Sequence, residues 1–171
     1  MSSIDLIQIP VTGRERGDNQ REAAQALSQF YRALNTRNLG LMQQAWDNSA
    51  EASMDNPLGG IKRGWDDIKS LYEKLFDSKA AYQFELHDYA LREAGDVFYV
   101  TGRERGEVTL PKRPLQLSIR TTRLFRRNDD GQWRQVHHHG SIDDPAMLSA
   151  YQEAMLGGTP ALRLVLMQGG A

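Results

Sequence analysis

Three groups in this chain could do chemistry: a guanidinium on an apolar strand face, a run of three imidazoles on the next strand, and an Asp-Asn pair before a proline turn. Ser118 to Ser141 reads as two strands joined by a tight turn. Within it, Arg123 shares strand parity with Leu115, Leu117, Ile119 and Phe125, so it should point where those apolar side chains point. A charge on a buried face is costly unless paired. Arg123 is therefore either an anchor for an anion or carbonyl in a pocket, or a salt-bridged or snorkelling arginine at the sheet edge. His138, in step with Val136, is placed to face the same pocket. An imidazole there can give or take a proton near neutral pH.

His137, His138 and His139 also invite a metal reading. Alternation sends neighbouring strand residues to opposite faces, so only His137 and His139 share a side. A zinc site usually needs a third protein ligand, and no HExxH or carboxylate pattern supplies one. No metal and no cofactor are expected. Trp133, His137 and His139 are placed together on an exposed sheet face, which predicts a homodimer through that face. Asp55 and Asn56 end a short strand, and Asx-Pro turns are usually structural. Asp55 is nonetheless a second candidate for proton transfer. Phe30, Asn56, Trp65 and Tyr99 are the other candidate pocket residues, and Arg103-Glu104-Arg105 reads as a solvated strand face.

The elements that position these residues follow from period and punctuation. Residues 1–18 read as an extended arm, with Ile4, Leu6, Ile7 and Ile9. Asn19 and Glu22 have capping-box spacing, and Leu27, Phe30, Tyr31 and Leu34 mark one helix face. A short helix follows Asn38. Glu51 to Asp55 is a strand ended by Asn56-Pro57 and Gly59-Gly60. A third helix begins near Gly64, with Asp66 and Asp67 in its first turn. From Ala81 the period becomes two. Further strands run from Asp96 to Val108, Leu115 to Arg127 and Trp133 to Ser141, and Asp129-Asp130-Gly131 makes the last hairpin turn. Asp143-Asp144-Pro145 caps a final helix through Met155. Residues 157–171 form a tail with an apolar stretch, Ala161 to Met167. Helices followed by antiparallel strands argue an α+β domain over residues 19–156, with helices on one face of the sheet. The pentapeptide Gly-Arg-Glu-Arg-Gly occurs at 13–17 and 102–106 without a surrounding repeat.

Composition narrows the classes. With 171 residues, 40% hydrophobic and 25% charged, the chain has room for one core. A net charge of −1 favours neither nucleic acid nor an anionic membrane as partner. The absence of cysteine excludes disulfides and thiolate chemistry. No apolar run suits a membrane span, and the first residues lack signal-peptide character, so a cytoplasmic location is expected.

The order of elements, together with Phe30 to Asn35, Trp46, Met54 to Gly59, Arg63 to Ile68, Thr122 to Phe125 and Gly131 to His139, resembles the SnoaL-like (nuclear transport factor 2-like) superfamily. The resemblance implies a cystatin-like cone, in which a curved antiparallel sheet wraps around helices and encloses a pocket, and it implies dimers through the sheet. The first half is similar to ketosteroid isomerases. There the base position falls on Asn56 and the oxyanion-hole tyrosine on Phe30, neither of which can serve that role. The second half is similar to the association domain of calcium/calmodulin-dependent protein kinase type II. Arg123 matches one of its pocket arginines, Thr101 and Gly140 stand where two others would be, and Arg103 or Arg120 could substitute. The resulting expectation is a pocket for an apolar small molecule bearing a carboxylate or carbonyl. The alternatives are an acid–base cyclase, isomerase or dehydratase, or a non-catalytic association domain.

Overall fold

The computed structural model describes residues 6–15, 21–110 and 114–156. The Asn19 cap and the Ala161–Met167 tail lie outside the described residues. In chain order the elements are α1 (Glu22–Asn35), α2 (Leu39–Ala45), β1 (Ser53–Asp55), β2 (Ile61–Arg63), α3 (Trp65–Asp77), β3 (Ala81–Ala94), β4 (Val97–Thr109), β5 (Pro114–Arg127), β6 (Trp133–Ser141) and α4 (Pro145–Leu156). The domain is α+β. Its six strands form one curved, open sheet in the order β2-β1-β6-β5-β4-β3. Each pairing is antiparallel except β1 with β6, which is parallel. Among the described residues no helix is long and apolar enough to cross a membrane.

Local chemistry explains the helix ends. The Asn38 side chain accepts the Leu41 amide hydrogen at 2.9 Å and starts α2. Asp144 Oδ1 accepts the Ala146 and Met147 amides at 2.9 and 3.0 Å and starts α4. Leu27, Phe30 and Tyr31 of α1 and Ile68, Leu71 and Tyr72 of α3 are buried, so each helix lays one apolar stripe against the sheet.

The β3 and β4 backbones approach closely near Gly106. A Cβ on Gly106 of β4 would sit 2.1 Å from the Gln83 carbonyl oxygen of β3, so only glycine allows the two backbones to approach this closely. A second irregularity lies in β6. Phe125 pairs with Gln135 and Leu124 with His137, which leaves Val136 as an extra residue in a bulge. The bulge resets the alternation. Trp133 and Gln135 face inward on one side of it, and His138 and Gly140 face inward on the other. Trp133 is thus in the core, 6% exposed, and not on the outer face with His137 and His139.

The N-terminal arm contributes more than an extended edge. Ile7 and Val11 bridge to Tyr89 and Leu86 of β3, and Val11 is buried in the core. Glu15 latches the arm to α1. Its carboxylate accepts hydrogen bonds from the Thr12 amide at 2.5 Å, the Thr12 hydroxyl at 2.8 Å, the Gly13 amide at 2.9 Å and the Ser28 hydroxyl. Partial burial disfavours the charged form, but the bonds from Ser28 and Thr12 outweigh it and hold the carboxyl below the ordinary glutamate value of 4.5. A pKa depressed by folding stabilises the docked arm above the unfolded value, and that contribution is lost as pH falls through the folded one. On acidification below 4.5, the Thr12 and Gly13 amide resonances should move toward unstructured positions. Glu15→Gln should flatten this pH response. Resonances that titrate identically in both proteins would remove the latch.

Candidate functional site

A cleft of about 80 Å³ opens between the inner face of the sheet, α1, α3, α4 and the turn after β1. Its walls are mostly apolar, with Leu34, Leu71, Leu75 and Ile119 among them. Phe30, Asn56, Arg123 and His138 all border it, so the topology brings together four of the residues singled out from sequence. Tyr151 of α4 lies along it as well.

Arg123 forms the polar floor. It is 1% exposed. Its Nη2 donates to Glu104 Oε1, its Nη1 to Gln135 Oε1 at 2.9 Å and its Nε to the Tyr31 hydroxyl at 3.4 Å. The guanidinium carbon lies 3.7 Å from the centre of the Phe30 ring. The Tyr31 hydroxyl in turn donates to Glu104 Oε1 at 2.7 Å. Burial alone would pull the guanidinium's pKa down, and the Glu104 carboxylate together with Tyr31 and Tyr72 more than reverses this. Burial and the same carboxylate push the Tyr31 phenol up.

Glu104 also borders the cleft, which corrects its reading as part of a solvated strand face. It belongs to the buried face of β4, not to a solvated run with Arg103 and Arg105. The signal was present in its parity with Phe98, Val100 and Val108, all of which point inward. Arg103 and Arg120, weighed as replacement pocket arginines, do not border the cleft. Arg103 pairs with Asp143 at 3.2 Å, and Arg120 Nε donates to the Ser141 hydroxyl at 3.2 Å.

His138 is 6% exposed. Its Nε2 lies 3.0 Å from the Thr121 hydroxyl, while Nδ1 is buried with no hydrogen-bond partner among the described residues. Burial first, then the Arg123 charge, push its pKa well below the ordinary histidine value. The ring is neutral at neutral pH and offers one donor and one acceptor. Asn56 accepts the Leu58 amide hydrogen through Oδ1 at 2.8 Å, as an Asx turn requires.

The remaining candidates lie elsewhere. Trp65 is buried at the start of α3 and does not border the cleft. Tyr99 is 41% exposed and lies across from Leu124. Asp55 lies with His139 away from the cleft, its Oδ2 3.0 Å from His139 Nδ1. Parallel pairing of β1 with β6 creates that contact by setting Ser53 beside His137 and Asp55 beside His139.

A curved open sheet packed on helices over an apolar cleft is a fold shared with nuclear transport factor 2-like proteins of known structure. A Streptomyces avermitilis protein of the NTF2-like family superposes with a TM-score of 0.65 at 22% identity, covering 71% of this chain and 93% of that one. The CaMKII hub of S. rosetta superposes with a TM-score of 0.59 at 18% identity, covering 75% of this chain and 99% of the hub. The SnoaL-like domain matches residues 23–145, and the chain belongs to that family. The Arabidopsis thaliana F-box protein SKIP8 is similar over 78% of this chain at 23% identity, and the chain spans 55% of that protein's length.

Proposed function

We propose that the cleft binds a small, largely apolar molecule carrying one neutral oxygen, a carbonyl or a hydroxyl. The observation that carries this reading is His138 Nδ1, a buried polar atom without a partner among the described residues, on a residue that borders a mostly apolar cleft. Leaving such an atom unmet costs about 1–3 kcal/mol. A ligand hydroxyl or carbonyl would meet it, according to which ring nitrogen carries the hydrogen. Arg123 does not call for a carboxylate, because Glu104 already balances its charge. Acid–base catalysis draws less support. Asp55 lies away from the cleft, and His138 is kept neutral by burial and Arg123.

Phenol, cyclohexanone and benzoate serve as probes. Phenol and cyclohexanone should bind more tightly than benzoate in calorimetric titration. His138→Phe should weaken phenol binding about fivefold, which is about 1 kcal/mol, the net worth of one hydrogen bond. Preference for benzoate, or undiminished phenol binding by His138→Phe, would overturn the reading.

Self-association through the outer sheet face is a second reading. The likeness to a kinase hub supports it, as does Tyr99, which stands exposed beside the partly buried Leu124 of β5. Trp133, buried in the core, contributes nothing to that face.

A further inference from the structure

We propose that Asp55, His137 and His139 form a site for a divalent transition-metal ion on the outer face of the sheet. Alternation along β6 puts His137 and His139 on the same side, two residues apart. The third ligand, which β6 alone lacks, comes from β1 through the parallel pairing that sets Asp55 beside His139. One ligand atom from each residue lies within 4.8 Å of the other two. Modest side-chain rotations close that spacing to the separation that ligands take around an ion held at about 2.0–2.2 Å.

A side chain that orients one of the imidazoles is also in place. Ser53 Oγ lies 2.8 Å from His137 Nδ1, which orients the ring and leaves Nε2 free to ligate. Ligating imidazoles are commonly fixed by such a bond to the other ring nitrogen. Asp55 Oδ2 and His139 Nδ1, 3.0 Å apart, already stand near the separation of two ligands that share one ion. Two imidazoles and one carboxylate suit Zn²⁺ or Co²⁺ and leave coordination positions open, whereas Mg²⁺ and Ca²⁺ prefer all-oxygen sites. Arg63 lies across from Ser53, and Arg120 lies across from Ser141. These flanking cations lower affinity without blocking the ligands. A bound ion would tie β1 to β6 and stabilise the fold by mass action.

Titration of tag-free protein tests the site. Co²⁺ should give visible ligand-field absorption, which Zn²⁺ displaces at one ion per chain and Mg²⁺ does not. His139→Ala and Asp55→Asn should each weaken Zn²⁺ binding at least about tenfold, and Ser53→Ala about tenfold, as loss of an orienting partner does. Of the four histidines, only His87 lies outside the run, so His87→Ala should leave binding unchanged. Circular dichroism establishes that each variant is folded before it is titrated. The site is overturned if the parent binds no Zn²⁺. It is equally overturned if His139→Ala and Asp55→Asn bind as tightly as the parent, or if His87→Ala loses binding to the same extent as they do.

Discussion

Glu104→Ala should lower the unfolding free energy by about 3–5 kcal/mol, the cost of leaving one member of a buried ion pair without its partner. At the 2–4 °C per kcal/mol typical of a chain this size, that is a Tm lower by about 6–20 °C. The reason is the guanidinium left behind. Arg123 is 1% exposed, and Gln135 and Tyr31 cannot replace a countercharge. Replacing both members should be far milder, because two apolar side chains of similar volume remove the buried charges altogether. Glu104→Leu with Arg123→Met should therefore recover most of the loss, short of what Gln135 and Tyr31 forfeit as hydrogen-bond partners. Urea denaturation of Glu104→Leu, Arg123→Met and the double variant measures this coupling. A double variant no more stable than Glu104→Ala would mean that the pair is not the source of the effect.

Trp133→Ala should cost a similar amount, about 3–5 kcal/mol, as removal of a core tryptophan does. The Trp133 ring meets Phe98 edge-on at 4.9 Å, and the Arg127 guanidinium carbon lies 4.5 Å from its centre. The expected result separates the two positions sequence allows for this residue. From the core, Trp133→Ala lowers Tm and leaves the sedimentation of the native protein unchanged. From an interface, it would shift sedimentation and spare the monomer's stability. Tyr99→Lys is the matching probe of the outer face and should lower the sedimentation coefficient if chains pair there. A Trp133→Ala protein as stable as its parent, but altered in mass, would reverse the assignment.

What could be read from sequence was whatever a single element states by its own period. The apolar stripe of α1, the turn at Asp129-Asp130-Gly131 and the inward parity of Arg123 are of this kind. Phe30, Asn56, Arg123 and His138 border one cleft, each carried there by its own element. What could not be read depends on two elements at once. The Val136 bulge flips parity within β6, so Trp133 and His137, four residues apart on one strand, face opposite ways. The parallel pairing of β1 with β6 leaves no local trace, yet it alone brings Asp55 to His139. Glu104 was a different kind of miss. Its alternation is legible, but a charged residue between two arginines reads as solvent-facing when its countercharge, Arg123, lies on the next strand.

The position of β6 also has a consequence for the order of assembly. Among the described residues it is the sole strand that joins the β1–β2 hairpin to the β3–β5 meander. Contacts between β1 and β6, such as Ser53 with His137, close a span of 84 residues. Contacts that close so long a span carry a large loop-closure entropy and form slowly relative to local hairpins. Docking of β1 on the local β5–β6 hairpin therefore completes both groups at once: it brings Met54 and Asn56 to the cleft that His138 borders, and Asp55 to His139 on the other side of the sheet. A folding intermediate that holds the β3–β6 meander without β1 possesses neither.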